Sequence, residues 1–263
     1  MTSFAYLAPT FHTIKAIKAH RVAKLSFFIR CDGNVTFLTD VERFNFKSAP
    51  HFDIYMCGFE PDLFMEIHFA EFEILGQKHV EGAVDKRKAE FLAGRICAKS
   101  SLQSLGVYEN VGRSVNRSPI WPEGIVGSIS HTSNLAMAIT LPSETVNYVG
   151  IDCEVMIEEH RARELSSSIL VDSELMDSLT SPLPFPEFFT LCFSAKESLF
   201  KALHPTVGKF FGFEAARLVS LTPETGEFCL VLNEDLNDVY QKGTCFDGHY
   251  HNKNGVISTM VVG

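Results

Sequence analysis

Six consecutive residues constrain this chain more than any others: Val149-Gly150-Ile151-Asp152-Cys153-Glu154 set two carboxylates two positions apart inside an apolar run. Successive side chains of a strand point to opposite faces. As a strand, the run puts Val149, Ile151, Cys153 and Val155 on one face and Gly150, Asp152 and Glu154 on the other. The apolar face reads as core. The acidic face sets like charges side by side, and these repel unless a cation or a proton lies between them. Magnesium suits such a face, because it takes hard oxygen ligands and needs few carboxylates beside phosphate oxygens. The plainer alternative is a strand end whose acids are merely solvated. A second stretch, Phe193-Ser194-Ala195-Lys196-Glu197-Ser198-Leu199-Phe200-Lys201, weighs against it.

Composition bounds the remaining choices. The 263 residues are long enough for a substantial core or for two smaller lobes. With 46% hydrophobic and 21% charged residues the chain reads as globular, not disordered. No apolar run approaches the ~20 residues of a membrane span, and the N-terminus has no secretory apolar region. The seven cysteines are odd in number, scattered and never spaced as C-x-x-C, so neither a disulfide framework nor a zinc knuckle follows. A reducing cytoplasm is the simplest home. Net charge is −9, yet a basic leader in residues 1–30 carries Lys15, Lys18, Arg21, Lys24 and Arg30 with no acid. Such a leader reads either as a solvated face or as a contact for a membrane surface or an acidic partner. The acidic balance elsewhere argues against general nucleic-acid binding, which needs a broad positive footprint.

Taken in order, Leu25–Ile29, Val35–Leu38 and Phe52–Cys57 read as short strands and Leu63–Phe72 as a helix. Asp85 to Gly106 reads as a helix with Asp85 as N-cap. Phe91, Gly94, Ala98, Leu102 and Leu105 form its inward stripe, and Gly106 is its left-handed stop. Lys86, Arg87 and Lys88 occupy its first turn, where the helix dipole disfavours cations. A bound anion would reconcile them, and solubilising lysines are the alternative. Arg117 to Pro122 is a stiff loop with the only tryptophan. Ile125–His131 and Leu135–Leu141 read as a hairpin about Thr132-Ser133-Asn134. Glu158–Leu179 reads as helical with a break near Leu170-Val171-Asp172, and Ser181–Pro186 as a breaker loop. A helix from Glu187 to Leu203 turns Ala195, Leu199, Ala202 and Leu203 inward and aligns Glu197, Lys201 and His204. Beyond Pro205, Phe228–Leu232 and Val256–Val262 read as strands, with Asn254-Gly255 as a hairpin turn. The fold class is α+β, with a division near residue 147: an N-terminal lobe over 1–147 and a C-terminal lobe over 148–263.

The two motifs together resemble the paired signature of 4′-phosphopantetheinyl transferases. The first is Val149-Gly150-Ile151-Asp152-x-Glu154, and the second is Phe193-Ser194-x-Lys196-Glu197-Ser198-x-x-Lys201. Lys86-Arg87-Lys88-x-Glu90-x-Leu92-Ala93-Gly94-Arg95, Pro119-x-Trp121-Pro122 and Gly127-Ser128-Ile129-Ser130-His131 resemble the siderophore (enterobactin-synthase) branch. The resemblance covers residues 85–203 in five blocks and is loose on either side.

The resemblance implies a pseudo-dimer of two similar α/β lobes with the active site in the cleft between them. It implies Mg²⁺-dependent transfer of phosphopantetheine from coenzyme A to a serine of an apo carrier protein, releasing 3′,5′-ADP. Asp152, Glu154 and Glu197 would hold the metal, with Asp152, Glu197 and Lys201 doing the chemistry. Lys201 would meet the pyrophosphate, while Arg87, His131 and Arg117 would hold the 3′-phosphate and adenosine. Arg95, Ser130 and Lys196 complete the coenzyme A contacts on that pattern. The base for the carrier serine is either Glu197 or a metal-bound water. The protein would be a cytoplasmic monomer, alone or within a synthase complex. The rival readings are a Mg²⁺-dependent phosphoesterase or nuclease and a non-catalytic coenzyme A-binding protein. For the carrier, the Phe-rich loop Gly208-Lys209-Phe210-Phe211-Gly212-Phe213 is the candidate contact, with core packing as its alternative.

Overall fold

The computed structural model describes residues 36–263. The basic leader of residues 1–30, the strand expected at Leu25–Ile29 and the start of the one expected at Val35–Leu38 lie outside the described residues. Leu38 makes only an isolated bridge to Phe59.

Strands β1 (Glu42–Phe46) and β2 (Ala49–Gly58) form an antiparallel hairpin. The helix expected over Leu63–Phe72 is not continuous. A 3₁₀ turn at Pro61–Leu63 is followed by one helical turn, α1 (His68–Glu71), with Phe64 extended between them. Aromatic packing overrides the helical period here: Phe37 stacks on His68 at 4.7 Å and meets Phe64 edge-on at 5.8 Å. The long helix α2 (Asp85–Ser104) follows, with Val84 rather than Asp85 in the cap position and no side-chain cap. Its buried face includes Ala89, Leu92, Ala93, Ile96, Cys97 and Leu102 together with the expected Gly94 and Ala98, while Phe91 is only partly buried against that core and Leu105 is exposed. A small ribbon, β3 (Gly112–Arg113) with β4 (Pro119–Ile120), leads to the hairpin β5 (Ile125–His131) and β6 (Leu135–Pro142), paired as expected.

The acidic stretch is strand β7 (Val149–Val155). Helices α3 (Glu159–Ile169) and α4 (Asp172–Ser178) break where Leu170-Val171 predicted, and α5 (Phe185–Val207) starts earlier than expected and runs through Pro205. The chain ends in β8 (Ala216–Thr222), β9 (Glu227–Leu232), β10 (Cys245–Lys253) and β11 (Val256–Val262). Asn254 and Gly255, at φ 54° and 76°, make the β10–β11 turn, the left-handed pair a type I′ hairpin requires.

Two antiparallel sheets result, one in the order β1-β2-β6-β5 and one in the order β7-β11-β10-β9-β8. Alternation along single strands fixes how they stack. On β6, Ala136 and Ala138 join the core beneath α2, while Met137 and Ile139 join a core shared with Val149, Ile151, Cys153 and Met260 of the other sheet. The opposite face of that second sheet packs on α5, through Leu199, Ala202, Leu230, Ile257 and Val261. The layers run α2, four-stranded sheet, five-stranded sheet, α5. The fold is a mixed α/β arrangement in which β7 is covered on both faces.

Covering the acidic face of β7 demands close approach. A Cβ on Gly150 would stand 1.9 Å from the Ser198 carbonyl oxygen and 2.6 Å from the Ala202 nitrogen, so the strand backbone rests on the helix backbone. Asp152, Glu154 and Glu197 are thereby all buried at one strand–helix seam.

Candidate active site

Strand β5 divides its side chains between two neighbours. Ile129 and His131 face α2, and Ser128 and Ser130 face β7. The edge of β7 that does not pair with β11 has backbone amides to satisfy, and side-chain hydroxyls serve them. Ile151 N–H donates to Ser128 Oγ at 3.0 Å and Cys153 N–H to Ser130 Oγ at 3.3 Å. Serines two apart in Gly127-Ser128-Ile129-Ser130-His131 thus stitch one sheet to the other.

At the centre lies Asp152, fully buried. Its Oδ1 accepts from Lys201 Nζ at 2.7 Å and from Ser130 Oγ at 2.8 Å, and its Oδ2 accepts from Ser194 Oγ at 3.0 Å. Lys201 Nζ also donates to Ser130 Oγ at 2.9 Å and to the Ile151 carbonyl at 3.1 Å. Lys201 comes from α5, one turn beyond Glu197, which is itself 8% exposed. Lys201 pairs with Asp152, with the Lys201 side chain still 22% exposed.

The first turn of α2 brings the second group. Arg87 Nη1 lies 2.9 Å from His131 Nε2 and 3.1 Å from Glu90 Oε2. His131 Nδ1 lies 3.2 Å from the Thr132 carbonyl, so Nδ1–H donates there and Nε2 accepts from Arg87. Arg113 is held by the His79 carbonyl. Its pKa is lowered by burial and by the neighbouring charges of Arg87 and Arg117. Arg87, Arg113 and Arg117 thus form one cationic neighbourhood beside His131. Arg117 itself is exposed at the tip of the β3–β4 ribbon, at φ 73°. Lys88 turns away from this group to pair with Glu66 and Asp85.

Two of the residues expected to contact coenzyme A are buried and have other partners. Lys196 is buried on another side of α5, where its Nζ meets Glu174 at 2.6 Å and the Ile169 carbonyl at 2.8 Å. Arg95 is also buried, donating to the Gly112 carbonyl at 3.0 Å over the Phe91 ring at 4.9 Å, and burial lowers its pKa to about 10. It braces the ribbon that carries Arg113. The Phe-rich loop divides: Phe211 and Phe213 belong to the core of α5, while Phe210 is 40% exposed.

The donor chemistry of Asp152, Glu154 and Glu197 suits Mg²⁺, since all three offer hard carboxylate oxygens from one seam. Among the described residues no three His, Cys, Asp or Glu are gathered into a group that could hold a metal ion. The expected three-acid cluster is thus not assembled in advance. Mg²⁺ does not require one, because it is commonly held by one or two carboxylates with waters and phosphate oxygens. No helix among the described residues is long and apolar enough to cross a membrane.

Sequence reasoning missed Ser194, Ser198 and Thr259, which form a hydroxyl chain behind Asp152. The available signal was the pair Ser194 and Ser198, four apart on an otherwise apolar helix face.

Comparison with known proteins gives consistent matches across these elements. Residues 75–141 match the 4′-phosphopantetheinyl transferase N-terminal domain, and residues 148–250 match the 4′-phosphopantetheinyl transferase superfamily. Enterobactin synthase component D of Salmonella typhimurium is 41% identical over 157 residues, covering 59% of this chain and 65% of that protein. Its counterpart in Salmonella austin is 38% identical over 180 residues, covering 65% of this chain and 73% of that protein. The 4′-phosphopantetheinyl transferase Svp of Streptomyces mobaraensis is 33% identical over 151 residues, covering 57% and 61%. The match to the first of these relatives spans a little less than two thirds of that protein's length.

Proposed function

Because the chain belongs to the 4′-phosphopantetheinyl transferase superfamily, we propose that it transfers the phosphopantetheine of coenzyme A to a serine of an apo carrier protein. The siderophore branch, named by the component D relatives, is the assignment we favour. The observation that carries the proposal is the pair of groups joined by adjacent residues of β5: Ser130 at the Asp152–Lys201 seam and His131 at the Arg87 cluster. One phosphorylated ligand with a pyrophosphate and a separate phosphate monoester would use both.

In this reading Arg87 and His131 grip the 3′-phosphate, the guanidinium as donor and His131 by orienting that guanidinium through Nε2, and Arg113 and Arg117 add field. Lys201, already at the seam, stabilises the pyrophosphate by exchanging one of its present acceptors for a phosphate oxygen. The carrier serine oxygen attacks the phosphorus attached to pantetheine, the bond from that phosphorus to the bridging oxygen breaks, and 3′,5′-ADP leaves. Glu197 takes the serine proton. Asp152 and Glu154, with Glu197 nearby, would hold Mg²⁺, which supplies charge neutralisation on the leaving phosphate. Phe210, on the exposed side of its loop, is the candidate carrier contact. The proposal further takes the protein as a cytoplasmic monomer of two lobes, 1–147 and 148–263, with the site between them.

The test is incubation with coenzyme A, Mg²⁺ and a panel of apo carrier domains, read by mass spectrometry. A carrier gaining phosphopantetheine is the expected result. Coenzyme A binding without modification of any carrier counts against transfer.

A further inference from the structure

We propose that Ser194 and Thr259, with Ser198 behind them, are positioning residues that fix the Asp152 carboxylate for the ion it would hold. The inference rests on the reading of Asp152 as a metal ligand given above.

Thr259 lies on β11 directly opposite Asp152 on β7. Thr259, Ser194 and Ser198 are all fully buried, and the two serines stand four apart on one face of α5. Ser194 Oγ is 3.0 Å from Asp152 Oδ2 and 2.9 Å from Thr259 Oγ1. Thr259 Oγ1 is in turn 2.7 Å from Ser198 Oγ.

The direction of the protons follows from the end of the chain. A carboxylate paired with a lysine only accepts, so Ser194 must spend its single proton on Asp152. Ser194 oxygen is then an acceptor, and Thr259 O–H points at it. Ser198 Oγ packs against Thr259 Oγ1 and donates to the Thr259 carbonyl at 3.2 Å. Two hydroxyls, Thr259 on the strand and Ser194 on the helix, therefore run one way and terminate on Oδ2. Oδ1 is held independently by Lys201 and Ser130.

Rotation of the carboxylate is resisted from both sides, and hydrogen bonds in such a chain polarise one another. Partners behind a metal-ligating carboxylate orient it and tune its basicity, and losing one commonly costs 10–100-fold in metal affinity. None of the three hydroxyls needs to touch substrate to do this.

The experiment titrates Mn²⁺ into the protein with coenzyme A present, reading free Mn²⁺ by electron paramagnetic resonance, alongside melting without metal. Thr259→Val keeps the shape and removes the link; Mn²⁺ affinity should fall about tenfold. Thr259→Ser should bring affinity back close to wild type, and Ser194→Ala should lose at least as much as Thr259→Val. A Thr259→Val protein that melts lower but binds Mn²⁺ as wild type does would reduce the chain to packing and overturn the proposal. If Thr259→Val does not fold, Ser194→Ala decides, and unchanged Mn²⁺ affinity there overturns it equally. Wild-type protein showing no saturable Mn²⁺ binding would overturn the metal reading itself, and the positioning role with it. Transfer activity with normal Mn²⁺ binding in every variant would leave the proposed function standing and remove only this inference.

Discussion

Helix α5 carries two lysines that each meet a buried carboxylate, and the two pairs differ in what surrounds them. Lys196 meets Glu174 with 2% and 0% of the side chains exposed, whereas Lys201 meets Asp152 with 22% and 0% exposed. Glu174 also takes the backbone amides of Val171 at 2.9 Å and Leu218 at 2.7 Å, and Lys196 takes the Ile169 carbonyl. That pair is sealed by main chain from α3, α4 and β8. The Lys201 pair is lined by serine hydroxyls and one carbonyl, and its cation still meets solvent. A sealed pair has no partner to exchange and can only hold the fold. A pair with one open side can trade a contact for a ligand.

The comparison breaks first at Lys196. Replacing it by Met strands the Glu174 carboxylate in the core, at a cost of about 3–5 kcal/mol. The urea midpoint should fall accordingly, and transfer should be lost only as the protein unfolds. A Lys196→Met protein with a wild-type midpoint would erase the distinction between the two pairs.

Lys201→Met gives the opposite profile. Asp152 stays buried but keeps its bonds from Ser130 and Ser194, and the partly exposed Lys201 position gives water a way in, so the stability loss should be smaller than at Lys196. Transfer to a carrier should drop far more than stability does, and Asp152→Asn should abolish it. Unfolding curves and turnover measured on the same samples separate the two cases. A Lys201→Met variant that transfers normally would leave that lysine as a second brace.

A third cation sharpens the contrast. Arg87 is 45% exposed and shares His131 with no sealing backbone around it. Arg87→Ala and His131→Ala should each weaken coenzyme A by roughly tenfold or more, as the loss of a hydrogen bond to a charged group implies. Dephospho-coenzyme A should be much less affected. Equal losses for the two ligands, measured by calorimetry, would place the 3′-phosphate elsewhere.

The smallest effect concerns a half-buried histidine away from both pairs. His249 lies 2.8 Å from Ser48 Oγ, joining β10 to the β1–β2 turn. Burial first of all lowers its pKa from the usual 6.5, with the His51 charge adding to this and Glu227 and Asp247 opposing it. The folded protein therefore binds this proton less readily than the unfolded chain. Its contribution is complete above about pH 6.5 and is lost as pH falls through the depressed folded value. Unfolding free energy should decline on acidification in that window, and His249→Gln should flatten the decline. An unaltered slope would assign the decline to His204 and His251, whose pKa values burial also lowers.

Much of this was legible before any coordinates, and the failures have physical causes. Strand β7, the hairpin of β5 and β6 and the break between α3 and α4 follow from period and punctuation alone. Strand β10 was missed because Cys245-Phe246-Asp247-Gly248-His249-Tyr250 mixes polar residues and a glycine with its apolar ones. At the site, two motifs single out Asp152, Glu154, Glu197 and Lys201, but they do not show that Lys201 pairs with Asp152. Lys196 and Lys201 flank Glu197 and look equivalent in one dimension. Five residues of α-helix turn them about 140° apart, so one enters the seam and the other the opposite packing. Thr259 was invisible because its role depends on β11 pairing with β7, a contact between residues more than a hundred positions apart.

Gly150 bears on how this protein can vary over time. Because the strand lies against the helix with no side chain between them, the spacing of Asp152 from Lys201 is set by covalent dimensions of two main chains. Substitutions among the surrounding Leu, Ile and Phe residues change what fills the core without changing that spacing. The machinery is thereby insulated from drift in most of the protein, and vulnerability is concentrated at a single position. Any side chain at 150 would pry the strand from the helix and open every distance at the seam at once.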